Sequence, residues 1–126
     1  MNVKNGQLTV SEEDYLEAAL RLTLDGQRIK VTKVAELLNV SKPAATNGLT
    51  ELAAKGLLTK EPYGDIFLTD KGKAEAERVY EKHLLLNGFL QKLGVRAETA
   101  EIECCKIEHI LSDETVDAIK KFMENN

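Results

Sequence analysis

Leu16, Ala19, Leu20 and Leu22 form an apolar stripe behind Ser11, Glu12, Glu13 and Asp14, so the pattern predicts a helix capped by the Ser11 hydroxyl with acidic residues in its first turn. Asp25-Gly26 stops it. A short helix from Lys33 to Leu38 follows, capped by Thr32 and closed at Asn39. Ser41 then caps a third, which tolerates Pro43 in its first turn and runs through Leu49 and Leu52 to Lys55-Gly56. Leu57-Leu58-Thr59-Lys60 and Asp65-Ile66-Phe67-Leu68 are short strand-like runs around the turn Pro62-Tyr63-Gly64. Beyond them Thr69 caps a long helix reaching about Leu93, broken at Gly94. One more helix carries Glu101 to His109, and another, capped by Ser112, extends from Asp113 to about Met123 with Val116, Ile119 and Met123 at helical spacing.

Helix, helix, turn, helix, hairpin is the order of a winged helix-turn-helix, and the small Ala35 suits the close packing of its two inner helices. The expected fold is mainly α: a winged helix-turn-helix over residues 1–70, then an all-helical module over residues 71–126, joined by the long helix itself. No repeat, low-complexity tract or Pro/Ser linker separates them. A three-helix domain that does not bind DNA is the alternative for the first module.

Charge divides the chain in the same place. The net charge is −4, yet residues 26–60 hold Arg28, Lys30, Lys33, Lys42, Lys55 and Lys60 against only Glu36 and Glu51, a balance of +4. Residues 94–126 carry four cations against eight anions. A basic module of this kind suits double-stranded DNA, and an acidic one suits cations.

With 126 residues, 43% of them hydrophobic and 30% charged, the chain can bury one modest core or two small ones. Its longest apolar run, around Leu84–Leu86, is far too short to span a bilayer, and the N-terminus has no secretory pattern. The two cysteines are adjacent and form no ordinary structural disulfide with each other. A soluble, cytoplasmic protein with no membrane partner is expected. Neither a Gly-rich phosphate loop nor a Ser/His/Asp arrangement is present, so no enzyme activity is expected.

The chemistry concentrates in Glu101-Ile102-Glu103-Cys104-Cys105-Lys106-Ile107-Glu108-His109. On a helix, Cys105, Glu108 and His109 share one face at i, i+3, i+4, and a thiol, a carboxylate and an imidazole together make metal binding plausible. Glu101 extends that face by a turn. Cys104 is rotated by about 100° and is expected to pack as a small hydrophobe. Against this stands the ordinary reading, in which Glu and His face solvent and a cysteine lies in the core. Two further signals are Asp14 and Glu17, at i, i+3 on the first helix, and His83, set in an apolar stretch where a core histidine is equally at home.

The order of elements, with Asp14-Tyr15-Leu16-Glu17, Leu68-Thr69-Asp70-Lys71-Gly72, Lys82-His83 and Cys105-Lys106-Ile107-Glu108-His109-Ile110-Leu111-Ser112-Asp113-Glu114, resembles the diphtheria toxin repressor and manganese transport regulator family over nearly the whole chain. The resemblance implies a homodimeric, metal-activated transcription repressor that binds palindromic operators of metal-homeostasis genes. It makes the second module a metal-binding and dimerisation domain. Position by position it implies Asp14, Glu17, His83, Cys105, Glu108 and His109 as regulatory metal ligands. The pattern is a hybrid: Cys105 follows iron-responsive members, Asp14 and Glu17 manganese-responsive ones. Asn87 and Glu101 stand where the ancillary site of the iron type has Glu and His, so the chain departs from that site's pattern.

Without metal, the carboxylates of Asp14, Glu17 and Glu108 repel, and a divalent ion reverses that preference. In a dimer this would fix two recognition helices about 34 Å apart, the spacing of successive major grooves. The expected activator is Fe(II) or Mn(II), with Co(II), Ni(II) or Zn(II) able to substitute in vitro. Ser41, Lys42, Pro43, Ala44, Thr46 and Asn47 would face the groove, Asn47 reading adenine and Ala44 and Ala45 meeting thymine methyls. Lys33, Lys42, Lys55 and Lys60 are expected on phosphates, with Tyr63 at the hairpin tip. Two alternatives remain: a winged-helix regulator sensing thiol oxidation through Cys104 and Cys105, and a small metal-binding enzyme or carrier. An acidic neighbourhood, which raises thiol pKa values, weighs against the first. The lack of any base beyond the ligands weighs against the second.

Overall fold

The computed structural model describes residues 8–61 and 65–126, so the Pro62-Tyr63-Gly64 turn and the role expected of Tyr63 lie outside the described residues. The order is α1 (Val10–Leu24), α2 (Val31–Leu38), α3 (Lys42–Ala54), β1 (Leu58–Lys60), β2 (Ile66–Leu68), α4 (Asp70–Lys92), α5 (Ala97–Ile107) and α6 (Asp113–Asn125). The chain divides into two compact units, one running through Glu77 and the other from Arg78 to Asn126.

In the first unit, α1 is capped two residues earlier than expected. Thr9, not Ser11, closes a capping box: its hydroxyl accepts from the Glu12 amide at 3.1 Å while its own amide donates to Glu12 Oε1 at 2.9 Å. The reciprocal pair satisfies two amides at once, more than Ser11 could do. The Glu12 carboxylate is buried and paired with Lys55 at the end of α3. Burial opposes its charge, but the Lys55 ammonium and the Thr9 hydrogen bonds outweigh that and hold the carboxyl below the usual carboxylate range.

α2 likewise begins earlier than expected, at Val31 after Lys30, so Thr32 lies inside it. It ends as expected at Asn39, which takes the left-handed conformation at φ 54°. Ser41 caps α3 by accepting from the Ala44 amide at 3.2 Å, with Pro43 in the first turn. Leu16, Val34, Leu49, Leu52 and Leu57 fill the core under these helices. Tyr15 is buried as well; its hydroxyl donates to the Ala44 carbonyl at 3.1 Å, and its ring lies directly over Gly48. Burial raises its pKa, helped by Asp14 and Glu51, so the phenol stays a neutral donor.

β1 and β2 pair antiparallel with Leu58 opposite Leu68 and Lys60 opposite Ile66. Ile29, between α1 and α2, adds an isolated antiparallel bridge to Ile66 that no period-2 run announced. Together with the three helices it makes a winged helix-turn-helix.

In the second unit, Gly94 turns the chain at φ 103° between α4 and α5, a conformation that favours glycine. Leu86, Ala100 and Cys104 are its most deeply buried apolar groups. α5 ends at Ile107, so Glu108 caps it and His109 follows in a turn, rather than both lying within the helix. Ser112 caps α6 by accepting from the Thr115 amide at 3.1 Å. α6 packs through an edge-on contact of Phe122 with Phe89, yet none of its residues is fully buried. Among the described residues, no helix is long and apolar enough to cross a membrane.

Candidate metal centre and nucleic-acid interface

The second unit centres on His83, which the apolar stretch of α4 carries inward until only 2% of it is exposed. The Tyr80 ring stacks on it, with centroids 6.1 Å apart. Each of its nitrogens faces a carboxylate, and Cys104 Sγ lies near both, 3.6 Å from Nδ1 and 3.8 Å from Nε2. Nε2 lies 3.1 Å from Glu101 Oε1, which also accepts from Asn87 Nδ2 at 2.8 Å. A carboxylate only accepts, so a ring nitrogen facing one donates whenever it carries the proton.

Nδ1 faces Glu108 Oε1 at 3.4 Å, Cys104 Sγ at 3.6 Å and Cys105 Sγ at 3.7 Å. Glu108 is 2% exposed, and its Oε2 has no hydrogen-bond partner among the described residues. Burying a carboxylate oxygen without a donor costs about 1 to 3 kcal/mol or more, a cost that a bound cation removes. Imidazole, thiols and an unsatisfied buried carboxylate are a donor set suited to a divalent transition metal.

Of the residues singled out by sequence, His83, Cys105 and Glu108 are thus together. His109 has a buried side chain with Nε2 4.0 Å from Glu108 Oε1 and joins no three-residue donor cluster among the described residues. Asp14 and Glu17 lie on α1, where Glu17 is buried and pairs with Arg21 at 3.5 Å. Cys104 is buried, as a small hydrophobe would be, but its sulfur also touches His83, which sequence reasoning missed. Adjacent helical residues point about 100° apart, yet a ring entering over the seam between them meets both. No periodicity announces that; only the position of α4 does.

The other surface is α3. Ser41, Lys42, Pro43 and Asn47 are exposed, as an interface with DNA requires. Ala44 is half-buried, and Ala45 is fully buried, so the expectation that Ala45 meets a thymine methyl is corrected: it faces the core beneath the helix. Thr46 turns its hydroxyl back to the Lys42 carbonyl at 3.0 Å. Lys33 is half-buried, Lys60 donates to Thr50 at 3.1 Å, and Lys55 is committed to Glu12.

A winged helix-turn-helix followed by a helical unit with a buried His/Cys/Glu cluster defines a metal-dependent transcription regulator. The family "Iron dependent repressor, N-terminal DNA binding domain" matches residues 7–66, and "Iron dependent repressor, metal binding and dimerisation domain" matches residues 69–126. The chain belongs to this family of metal-dependent transcription repressors, which includes the diphtheria toxin repressor and manganese transport regulator types. It is 42% identical over 119 residues to an uncharacterised HTH-type transcriptional regulator of Methanocaldococcus jannaschii, covering 93% of this chain and 95% of that one. It is 32% identical over 114 residues to the transcriptional regulator MntR of Escherichia coli O157:H7, covering 90% and 74%. The solved manganese regulator SloR superposes with a TM-score of 0.81 at 31% identity over 94% of this chain, which spans 56% of the SloR chain.

Proposed function

We propose that this protein is a homodimeric repressor, activated by Fe(II) or Mn(II), that binds palindromic operators of metal-homeostasis genes in the cytoplasm and catalyses no reaction. Residues 1–70 form the DNA-binding domain and residues 71–126 the metal-binding and dimerisation domain. The observation that carries this reading is the convergence of Cys105 and Glu108 on the Nδ1 side of His83, with Glu108 Oε2 buried and unsatisfied. The ligand set is Asp14, Glu17, His83, Cys105, Glu108 and His109. Membership of a family that contains manganese regulators supports it.

When bound, the ion supplies positive charge that neutralises these carboxylates. The residues themselves do the rest: Glu101 holds His83 by Nε2, and Glu108 and Cys105 offer donors to the same side. Asn47 reads a base edge, with Ser41, Pro43, Ala44 and Thr46 beside it; Lys33, Lys42, Lys55, Lys60 and Tyr63 contact the backbone. Lys55 reaches a phosphate only by sharing its charge with Glu12.

Dimerisation would use the exposed apolar groups of the second unit, Leu93, Ile102 and Ile110, which are 60% or more exposed. The test is gel retardation of a family-type palindrome under anaerobic conditions. Retardation is expected with Fe(II) or Mn(II) and not with chelator; equal binding in both would overturn the reading.

A further inference from the structure

We infer that Glu51 is a second base-reading residue of α3, one that accepts a hydrogen bond from the cytosine N4 amino group in the major groove and disfavours A·T pairs there. The inference rests on the reading that α3 enters the groove with Asn47 on a base edge. It adds to that reading a second determinant, the base it selects, and a charge opposite to the one DNA attracts.

Lys42 and Glu51 are the only charged residues of α3. Glu51 is exposed and stands four residues after the exposed Asn47, so the two occupy neighbouring turns of one face, about 40° apart around the axis. Ala45, Leu49 and Leu52 take the opposite side and are buried. Side chains on a helix lean toward its N-terminus, which carries the Glu51 carboxylate back over the turn that holds Asn47. The Tyr15 phenol registers it there: burial first, then the charges of Asp14 and Glu51, raise its pKa, and its hydroxyl is bonded to the Ala44 carbonyl, two turns before Glu51. The N-terminal half of a recognition helix is the half that meets base edges.

Among the described residues no cation is paired with Glu51: Lys55, one turn further on, is committed to Glu12, and Lys60 donates to the Thr50 hydroxyl at 3.1 Å. A carboxylate so placed opposes association with a polymer bearing one negative charge per about 1.7 Å of its axis, whatever the sequence. Only a donor facing it reverses the sign. The major groove offers two, the N4 amino group of cytosine and the N6 amino group of adenine. The adenine group sits between two acceptors, its own N7 and the thymine O4, which repel a carboxylate, whereas the cytosine group has an acceptor on one side only. Glu51 therefore selects a G·C pair by attraction and rejects A·T pairs by repulsion, the two halves of a specific contact.

The test selects duplexes from a randomised DNA library with the full chain and Mn(II) or Fe(II) under anaerobic conditions, comparing wild type with Glu51→Ala and Glu51→Gln. Both substitutions fall at an exposed helix position, and circular dichroism verifies folding. The wild-type pool should hold a G·C pair at one fixed position of each half-site. Glu51→Ala should relax that preference about fivefold or more and bind unselected duplex more tightly than wild type does. Glu51→Gln should move the preference toward A·T, because an amide donates to adenine N7 while accepting from N6. A change in the base selected is something that a merely structural residue does not produce. The same base at that position in all three pools, or weaker binding of unselected duplex by a folded Glu51→Ala protein, would overturn the inference. If enrichment requires metal while the three pools are identical, this inference fails and the proposed function stands. Pools that follow residue 51 yet arise equally in chelator give the reverse, and no enrichment by any of the three proteins overturns both.

Discussion

The buried carboxylate of Glu12 pairs with the ammonium of Lys55, tying the first turn of α1 to the residue that caps the end of α3. Because the pairing holds the Glu12 carboxyl below its ordinary range, it contributes stability that is present above the unfolded-state pKa and lost as pH falls through the lower folded-state value. Glu12→Gln should therefore cost about 1 to 3 kcal/mol at neutral pH. The gap from wild type should narrow as pH is lowered through and below the carboxylate range. Urea unfolding at several pH values measures it; a gap independent of pH would show that the pair contributes nothing ionic.

Gly48 meets Tyr15 so closely that a Cβ there would lie 2.3 Å from Cε2 of the ring. The ring is buried and held by its bond to Ala44, so it has little room to yield. Gly48→Ala should destabilise the DNA-reading unit by about 1 to 3 kcal/mol despite the better helix propensity of alanine. A denaturation midpoint equal to or above that of wild type would contradict this packing.

Metal preference should follow residue 105. A thiolate favours Fe(II) over the harder Mn(II), so Cys105→Glu is expected to shift activation of operator binding toward Mn(II). Retardation assays titrated separately with Fe(II), Co(II) and Mn(II) give the profile. Identical profiles in the two proteins would remove Cys105 from the regulatory ligands.

On α3, the exposed Asn47 and Lys42 should behave differently. Asn47→Ala should relax discrimination at one base pair by about 1 to 3 kcal/mol, whereas Lys42→Ala should weaken all sequences alike and lower the salt dependence. Binding measured against operator variants at two salt concentrations separates the effects. A uniform loss from Asn47→Ala would reassign it to the backbone.

Helix positions were legible because caps and glycine stops mark them locally: Asn39, Ser41, Gly56, Gly94 and Ser112 act where the pattern places them. Where two hydroxyls compete, as Thr9 and Ser11 do, the choice depends on whether Glu12 can reach back, which spacing alone suggests only weakly. The bridge from Ile29 to Ile66 joins residues far apart in sequence and has no periodic signature. The same distinction runs through the candidate site. Glu108 and Cys105 share a helix face by arithmetic, but the position of His83 over the seam between Cys104 and Cys105 is decided by how α4 packs on α5. For the same reason Ala45 and Asn47, two residues apart on α3, fall on opposite sides of it, one in the core and one in solvent.

α6 buries none of its residues completely, and its apolar positions Val116, Ile119 and Met123 are only half-covered. A thirteen-residue helix is marginal alone in water, so its order depends on whatever covers that face. If the covering surface is a second copy of the chain, dilution itself becomes a denaturant for this segment. The amide hydrogens of α6 would then exchange with solvent at a rate set by protein concentration, while those of α3 would not.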